Sequence, residues 1–224
     1  RDFARWEHAR DYSESMAFWE TELQNVEPYK WGQPKGADSG GGSTSGIIDV
    51  ETSNKVRAFA RKHRTTPFVF FMHVTHELLS QFSGSVSTDP DVPPPKFVVG
   101  TPSTQRPPTM PNTMGMFVDT VLVKNHASVA DLQKKWLEIQ ERDVPYDMVA
   151  QIVQCNAMMS WIGGGEGFDA AAVSVDAADA SEAQKDQSEP KKHDAKFDFS
   201  AYFYQVGSQQ YGFGANWRDV GCIP

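Results

Sequence analysis

The segment FVVGTPSTQR at residues 97–106, followed by MGMFVDTVLVK at residues 114–124, is the most informative part of the sequence. Its first part is a short apolar run from Phe97 that glycine and proline bring to an end, as at the end of a strand. The second part follows Gly115 and is rich in β-branched and aromatic residues, which indicates another strand. The stretch therefore predicts two strands that a polar loop carrying Arg106 connects.

The two strands contain the patterns VGTPxxxR and GxFVxTxxxK. This pairing closely resembles the condensation domains of nonribosomal peptide synthetases, in which the second segment usually reads GFFVNT. The resemblance implies an α/β fold of the chloramphenicol-acetyltransferase type. In that fold a mixed sheet is flanked by helices and forms one lobe of a two-lobed domain.

Four further segments match the same family in the same order along the chain. They are RDFARW at residues 1–6 followed by Phe18-Trp19 and Leu23, TTPF through LLSQFSG at 65–84, DVPYD at 143–147 and KFDFS at 196–200. They are similar to the family segments YxDFAxWQ…YW…L, TxF…LLxRYSG, QDxPFE and KFDLS. The resemblance therefore covers most of the chain, and five segments in order are hard to obtain by chance.

The family's catalytic signature, HHxxxDG, lies before the YxDFAxWQ segment. None of the six histidines of this chain is adjacent to another. The resemblance therefore implies that residues 1–224 form the C-terminal lobe, that the catalytic histidine belongs to an N-terminal lobe, and that this lobe has no catalytic residue of its own. We expect the isolated chain to be inactive.

The family joins two substrates, each held as a thioester on the phosphopantetheine arm of a carrier protein, by forming an amide bond. The resemblance therefore implies the following partners: upstream and downstream peptidyl carrier proteins, the N-terminal lobe and an adjacent adenylation domain. It implies no directly bound cofactor beyond the carrier proteins' phosphopantetheine arms. Holding two tethered substrates in attack geometry accounts for much of such catalysis.

Five residues of the 97–124 stretch are the candidate substrate-binding residues. Thr104 and Arg106 rank first, and Met114, Gly115 and Asp119 follow. Arg106 has two interpretations, since a guanidinium can hold pantetheine or a carboxylate and can equally stabilise the fold through an ion pair. Asp119 stands where the family usually has Asn, so an acceptor-only anion replaces a group that also donates.

Two other functions remain as alternatives. A condensation-like lobe without catalysis can serve as a docking surface or scaffold for carrier proteins. An acyltransferase that esterifies alcohols with acyl-CoA has less support, because its DFGWG segment is not matched by QYGFG at residues 210–214.

Composition excludes some classes of function without identifying the function itself. A net charge of −8 argues against nucleic-acid binding, which requires clustered Lys and Arg to neutralise phosphates. No apolar run reaches the length of a membrane-spanning helix, so we expect no membrane association. Two cysteines, Cys155 and Cys222, provide no disulfide framework, which favours the reducing cytoplasm. Cys155 has no surrounding nucleophile motif and is interpreted as a buried thiol.

Helices alternate with strands in the remaining pattern, which favours an α/β sandwich. Caps and periodicity predict five helices: residues 11–23, a helix with Thr52 or Ser53 as its cap, one from Pro67 to Gly84, one with Ser128 as its cap, and residues 146–155. Short strands are expected at 47–50, 158–162, 196–206 and 211–215. The glycine- and serine-rich segment 33–46 is predicted to be a flexible connector, and 176–195 a disordered loop.

His73, His76 and Glu77 lie three and four residues apart within one predicted helix, a spacing that can place metal ligands on one face. Their order matches neither HExxH nor HxxEH. Because apolar residues surround them, we interpret them as part of a buried helix and predict no metal.

Overall fold

A computed structural model describes residues 2–30, 41–83, 96–104, 106–107, 109–163 and 197–218. Within these ranges the chain forms α1 (Asp2–His8), α2 (Ser13–Glu22), β1 (Gly42–Ile48), α3 (Val50–Lys62), α4 (Pro67–Phe82), β2 (Val98–Thr104), β3 (Val118–Lys124), α5 (Val129–Gln140), α6 (Tyr146–Val149), β4 (Ala157–Ile162), β5 (Phe199–Val206) and β6 (Gln210–Trp217). The predicted disordered loop at 176–195, the helix stop at Gly84, Lys196 and Cys222 lie outside the described residues.

The six strands form one mixed sheet in the order β1-β6-β5-β4-β2-β3. β2, β4 and β5 run parallel to one another, whereas the pairs β2–β3, β5–β6 and β1–β6 are antiparallel. The sheet with its flanking helices confirms the predicted α/β fold class. β2 and β3, the two strands predicted from residues 97–124, are neighbours in this sheet, with Gly100 opposite Leu122 and Thr104 opposite Val118.

Helices cover both faces of the sheet beside β2 and β3. On one face, α3, α4 and the first half of α5 pack against alternate strand residues such as Val99 and Val123, in a core that extends to β5 and β6. On the other face, α2 and the α6 region pack against Val98 and Leu122. Because side chains alternate along a strand, each of these two strands contributes to both cores.

Several helix ends follow the sequence signals. Thr66 accepts a hydrogen bond from the backbone N–H of Val69 and precedes Pro67 in the first turn of α4. Ser128 likewise accepts from the backbone N–H of Asp131 at the start of α5. These side chains bind backbone N–H groups that have no partner within the helix.

The predicted cap of α3 was wrong. Asp49 caps this helix by accepting a 2.8 Å hydrogen bond from the backbone N–H of Thr52. Ser53 lies inside the helix and is fully buried. Residues 49–53 contain three residues of types that often cap helices, Asp49, Thr52 and Ser53. The prediction chose the later two, about one turn beyond the residue that caps the helix.

Three element bounds also differ from the prediction. Gly42–Gly46, predicted to be a connector, lies in strand β1, and residues 33–40 lie outside the described residues. β2 continues past Gly100 to Thr104. Beyond Gly100 it pairs with β3 alone, so its other side is open. Proline is tolerated on such an open side, because the missing N–H of Pro102 breaks no hydrogen bond with a second neighbouring strand. The predicted helix at 146–155 ends at Val149.

Within the described residues, none of the helices is both long enough and apolar enough to cross a membrane.

Candidate functional site

The β2–β3 loop is closed by Arg106. Its guanidinium donates hydrogen bonds to the carbonyl oxygens of Thr113, Met110 and Pro111, at 2.6, 3.1 and 3.5 Å. The same guanidinium lies 3.9 Å from the centre of the Phe117 ring. A planar group with several donors is suited to bridging carbonyls while stacking on an aromatic ring. Arg106 therefore stabilises the loop through backbone contacts. Among the described residues it makes no ion pair of the kind that was one of its two predicted interpretations.

A cavity of about 330 Å³ lies beside this loop. It is enclosed by α1, α2, the ends of β2 and β3, and the segment from α5 to Val149. The side chains that define its character are Trp6, Arg10, Trp19, Ser103, Thr104, Arg106, Trp136, Arg142 and Asp143. Aromatic walls with a few polar groups are typical of small-molecule and cofactor sites.

Two ion pairs hold the rim of the cavity. Arg10 contacts the Asp143 carboxylate at 2.8 Å, and its guanidinium lies 4.6 Å from the Trp6 ring centre. Arg142 contacts the carboxylate of Glu14 at 2.6 Å. Three arginines and Asp143 line the cavity, and with the Glu14 carboxylate beside Arg142 they leave this wall with an excess of one positive charge in a chain of net charge −8. The arrangement favours a ligand that carries negative or carbonyl oxygens.

Of the five predicted substrate-binding residues, the structure brings together Thr104 and Arg106. Both line the cavity. Met114 projects into solvent, with 96% of its surface exposed. Gly115 adopts a φ of 156°, a backbone conformation that residues with a side chain rarely adopt, where the loop turns into β3. These two residues shape the loop outside the cavity wall.

Asp119 has a structural role in this lobe. Its Oδ2 accepts a 2.8 Å hydrogen bond from the backbone N–H of Tyr146, and its Oδ1 lies 2.7 Å from the backbone nitrogen of Thr120. The carboxylate is half-buried and does not line the cavity. An anion that only accepts is well matched to two backbone donors, which gives a reason for Asp at this position.

Tyr146 connects this region to Cys155. Its hydroxyl lies 3.6 Å from the Cys155 sulfur, and burial raises the pKa of Tyr146 to about 12, with the neighbouring thiol adding to the shift. The phenol therefore stays protonated near neutral pH and does not serve as a base there. Cys155 is half-buried, which is less than the buried thiol that the sequence predicted.

A charged cluster joins two of the helices that bear cavity walls. Glu22 of α2 is 8% exposed, and its carboxylate lies 3.0 Å from the Lys124 ammonium, 3.2 Å from the Lys135 ammonium and 3.8 Å from His126 Nε2. Burial lowers the pKa of His126, although the Glu22 carboxylate opposes that shift. For Lys135, burial disfavours the charge, but hydrogen bonds to Glu138 and Glu22 outweigh it and raise its pKa. Trp19 and Trp136 lie on the same two helices.

The histidines of α4 serve packing. His76 is 1% exposed, and its Nε2 lies 3.2 Å from the carbonyl oxygen of Val123. Burial lowers the pKa of His76 to about 3, while the contact with Val123 opposes the shift. His73 lies 4.0 Å from the Glu77 carboxylate one turn away. Among the described residues, no group of three His, Cys, Asp or Glu is arranged to hold a metal ion.

Sequence reasoning missed the rest of the cavity wall. Trp6 and Asp143 fall in segments that match the family patterns, but the patterns do not show that these segments meet. Trp19 likewise falls in the Phe18-Trp19…Leu23 part of the first segment, whereas Arg10 and Arg142 carry no motif of their own. They face Thr104 only because α1, α2 and the end of α5 fold over the ends of β2 and β3.

No protein-family model matches the sequence, and neither does any curated protein. Solved structures show a clear likeness in fold. The condensation domain of the monacolin K polyketide synthase MokA is 14% identical, with a TM-score of 0.61, over 92% of this chain and 52% of that one. The cyclization-docking bidomain of EpoB, a nonribosomal peptide synthetase of Sorangium cellulosum, is 12% identical, with a TM-score of 0.68, over 98% and 46%.

The X-domain from teicoplanin biosynthesis is 13% identical, with a TM-score of 0.68, over 100% of this chain and 54% of that one. The likeness thus extends across nearly the whole chain while accounting for about half of each similar protein. The chain therefore has the condensation-domain fold that the sequence predicts, and it spans about half the length of these three similar proteins.

Proposed function

We propose that this chain is the C-terminal lobe of a condensation domain of a nonribosomal peptide synthetase. The observation that carries the proposal is the match of nearly the whole chain to about half of a condensation domain, together with a VGTPxxxR loop whose Thr104 and Arg106 line a cavity. With an N-terminal lobe, it forms amide bonds between substrates tethered to carrier proteins. The partners are an upstream and a downstream peptidyl carrier protein and an adjacent adenylation domain, in the cytoplasm.

The chemical character of the side chains that line the cavity supports binding of a phosphopantetheine arm. When bound, such an arm supplies the substrate as a thioester. Its amides and phosphate match the hydroxyl groups of Ser103 and Thr104 and the positive charge of the arginines, and its alkyl segments match the Trp6 and Trp19 rings. Arg106 positions this wall, because its guanidinium is committed to the loop carbonyls.

The lobe contributes positioning and requires the other lobe for proton transfer, since the sequence contains no adjacent pair of histidines. We expect no condensation by the 224-residue chain alone. The test joins the chain to an N-terminal condensation lobe that carries HHxxxDG and supplies loaded carrier proteins, with product detected by mass spectrometry. The chain alone and the joined protein with its second motif histidine changed to alanine serve as controls.

The contribution of the cavity is tested in the same joined protein. Thr104→Val removes a hydroxyl from the cavity wall, and Thr109→Val makes the same change at an exposed loop position. We expect product formation to fall about tenfold with Thr104→Val, which corresponds to one lost hydrogen bond of about 1.4 kcal/mol. Turnover by the chain alone, or equal rates for the two variants, contradicts the proposal.

A second function is favoured by a specific observation. Arg106 and Asp119, two of the five predicted site residues, are both engaged by backbone groups of this lobe. A non-catalytic condensation-like lobe that docks carrier proteins needs only such structural roles. Binding of a carrier protein to the chain, measured by calorimetry, without product from the joined protein identifies this second function.

A further inference from the structure

Strand β1 is an edge of the sheet with one open side. All seven of its residues register with β6, and within the described ranges no strand pairs with its other side. Its sequence, GSTSGII, contains neither a charged residue nor a proline. Ser43, Thr44 and Ser45 are exposed, and Ile47 is 60% exposed.

The opposite edge of the sheet is protected. β3 carries the charged residues Asp119 and Lys124, and the hydrogen bond from Tyr146 N–H to Asp119 brings the α6 segment against it. Natural proteins protect edge strands in these ways, because an open row of N–H and C=O groups can pair with another chain. Within the part of the chain that the structure describes, β1 has none of these protections.

The strand is nevertheless held in an extended form. A side chain at Gly42 would meet the Trp217 ring at 2.8 Å, and one at Gly46 would meet the Phe213 ring at 3.0 Å. These rings of β6 therefore lie over the two glycines. Such aromatic cover compensates for the missing side chains of a glycine-rich edge strand. The open side of β1 is thus preformed for pairing.

The sequence of β1 also has an internal symmetry. Residues 42–46 read Gly-Ser-Thr-Ser-Gly in both directions, with Thr44 at the centre. If two copies pair antiparallel about Thr44, Gly42 faces Gly46 of the second copy and Ser43 faces Ser45 of the second copy. The two Thr44 side chains then face each other on one side of the sheet. Cross-strand pairs of Thr and Ser are favourable, and no like charges meet.

We propose that β1 pairs with β1 of a second copy of this chain across a two-fold axis at Thr44, which joins two six-stranded sheets into one. A two-fold contact that uses the same surface on both partners is the commonest form of homo-oligomer. One short strand pair buries less area than a standard interface, so the dimer is weak and depends on concentration. Each copy carries a charge of −8, so salt that screens the repulsion between the two copies should strengthen the dimer.

The test uses opposite charges at the symmetry centre. Thr44→Lys and Thr44→Glu each place two like charges directly opposite in the dimer, so each variant alone should be a monomer. An equimolar mixture of the two should form the dimer again, because Lys then faces Glu. Sedimentation equilibrium over a hundredfold range of concentration measures all three samples and the wild type.

Thr21→Lys, an exposed position on α2, controls for the added charge and should associate as the wild type does. Circular dichroism shows that each variant keeps its fold, which is expected because Thr44 is exposed and lies opposite the small residue Ala215. A wild type that stays monomeric at every concentration and salt level overturns the proposal. So does a dimer that persists in Thr44→Lys, or a mixture that does not associate.

Discussion

The Asp119 carboxylate accepts a 2.8 Å hydrogen bond from the backbone N–H of Tyr146, and this bond ties β3 to the start of α6. The other oxygen of the carboxylate lies 2.7 Å from the backbone nitrogen of Thr120. Both oxygens thus face donors. The structure therefore gives a local reason for an aspartate where the condensation domains that the sequence resembles usually have asparagine.

We expect Asp119→Asn to destabilise the lobe by about 1–2 kcal/mol. The new amide group has one acceptor oxygen, and its NH2 faces a backbone donor, so one partner is lost. Urea unfolding measures the change. Asp147→Asn, an exposed carboxylate in the first turn of α6, is the matched control and should change the free energy of unfolding by less than about 0.5 kcal/mol. A stable Asp119→Asn protein with raised condensation activity would support a tunnel-facing role instead.

Arg106→Lys tests the loop contacts at constant charge. A lysine cannot stack on Phe117 and bridge three carbonyls at once, so the loop should open more often while the fold remains. We expect amide hydrogen exchange at residues 109–117 to become faster, by about tenfold if one net hydrogen bond of about 1.4 kcal/mol is lost. Arg61→Lys, at an exposed position of α3, is the control. Unchanged exchange in the loop would show that the guanidinium contacts contribute nothing.

The sequence predicts those elements whose signals are local. α4 and α5 have a capping hydroxyl, an apolar stripe and a consistent period, and each begins where the pattern indicates. The apolar run that begins β2 and the β-branched run of β3 after Gly115 are local signals as well. The cap of α3 is also a local feature, but the prediction named Thr52 or Ser53, whereas Asp49 is the residue that accepts from the backbone N–H of Thr52.

Strand β1 shows what local signals cannot supply. Gly42 and Gly46 disfavour a strand by propensity, and the rings of Trp217 and Phe213, about 170 residues away in sequence, override it. The cavity likewise depends on contacts between residues that are far apart in the sequence. Thr104 and Arg106 were predicted, but their neighbours Arg10 and Asp143 are paired across 133 residues, a contact that no sequence period encodes.

Acid should destabilise the lobe through His76. The pKa of this buried histidine falls from 6.5 to about 3 on folding, so below pH 6.5 the unfolded chain binds more protons than the folded one. The contribution of His76 to the free energy of unfolding is therefore constant above about pH 7.5. It falls by up to about 1.4 kcal/mol per pH unit between pH 6 and pH 4. Urea unfolding across this range measures the slope.

His76→Gln removes the titrating group and should flatten this part of the profile relative to the wild type. At pH 8 His76 is neutral in both states, so the difference between variant and wild type there gives the cost of altered packing alone. An identical slope in the two proteins between pH 6 and pH 4 would show that other groups cause the acid sensitivity.

The buried Glu22 cluster should contribute more to stability than any exposed ion pair of the same helix. Glu22 lies 3.0 Å from the Lys124 ammonium and 3.2 Å from the Lys135 ammonium and is 8% exposed, so Glu22→Gln leaves two partly buried lysines without their shared anion. Breaking such a pair from one side costs about 3–5 kcal/mol. The side chains of the two lysines are about a fifth exposed, so we expect the lower end of this range, about 3 kcal/mol.

Glu14→Gln is the matched control, because Glu14 lies on the same helix and pairs with Arg142 while 83% of its side chain is exposed. Exposed pairs contribute about 0–1 kcal/mol, so the control should unfold at nearly the wild-type urea concentration. Because α2 and α5 also carry Trp19 and Trp136 of the cavity wall, Glu22→Gln should in addition raise tryptophan quenching by acrylamide below the unfolding transition. Equal free energies of unfolding for the two variants would mean that Lys124 and Lys135 find solvent as readily as they find Glu22, and the cluster would then have no special role in holding the two helices together.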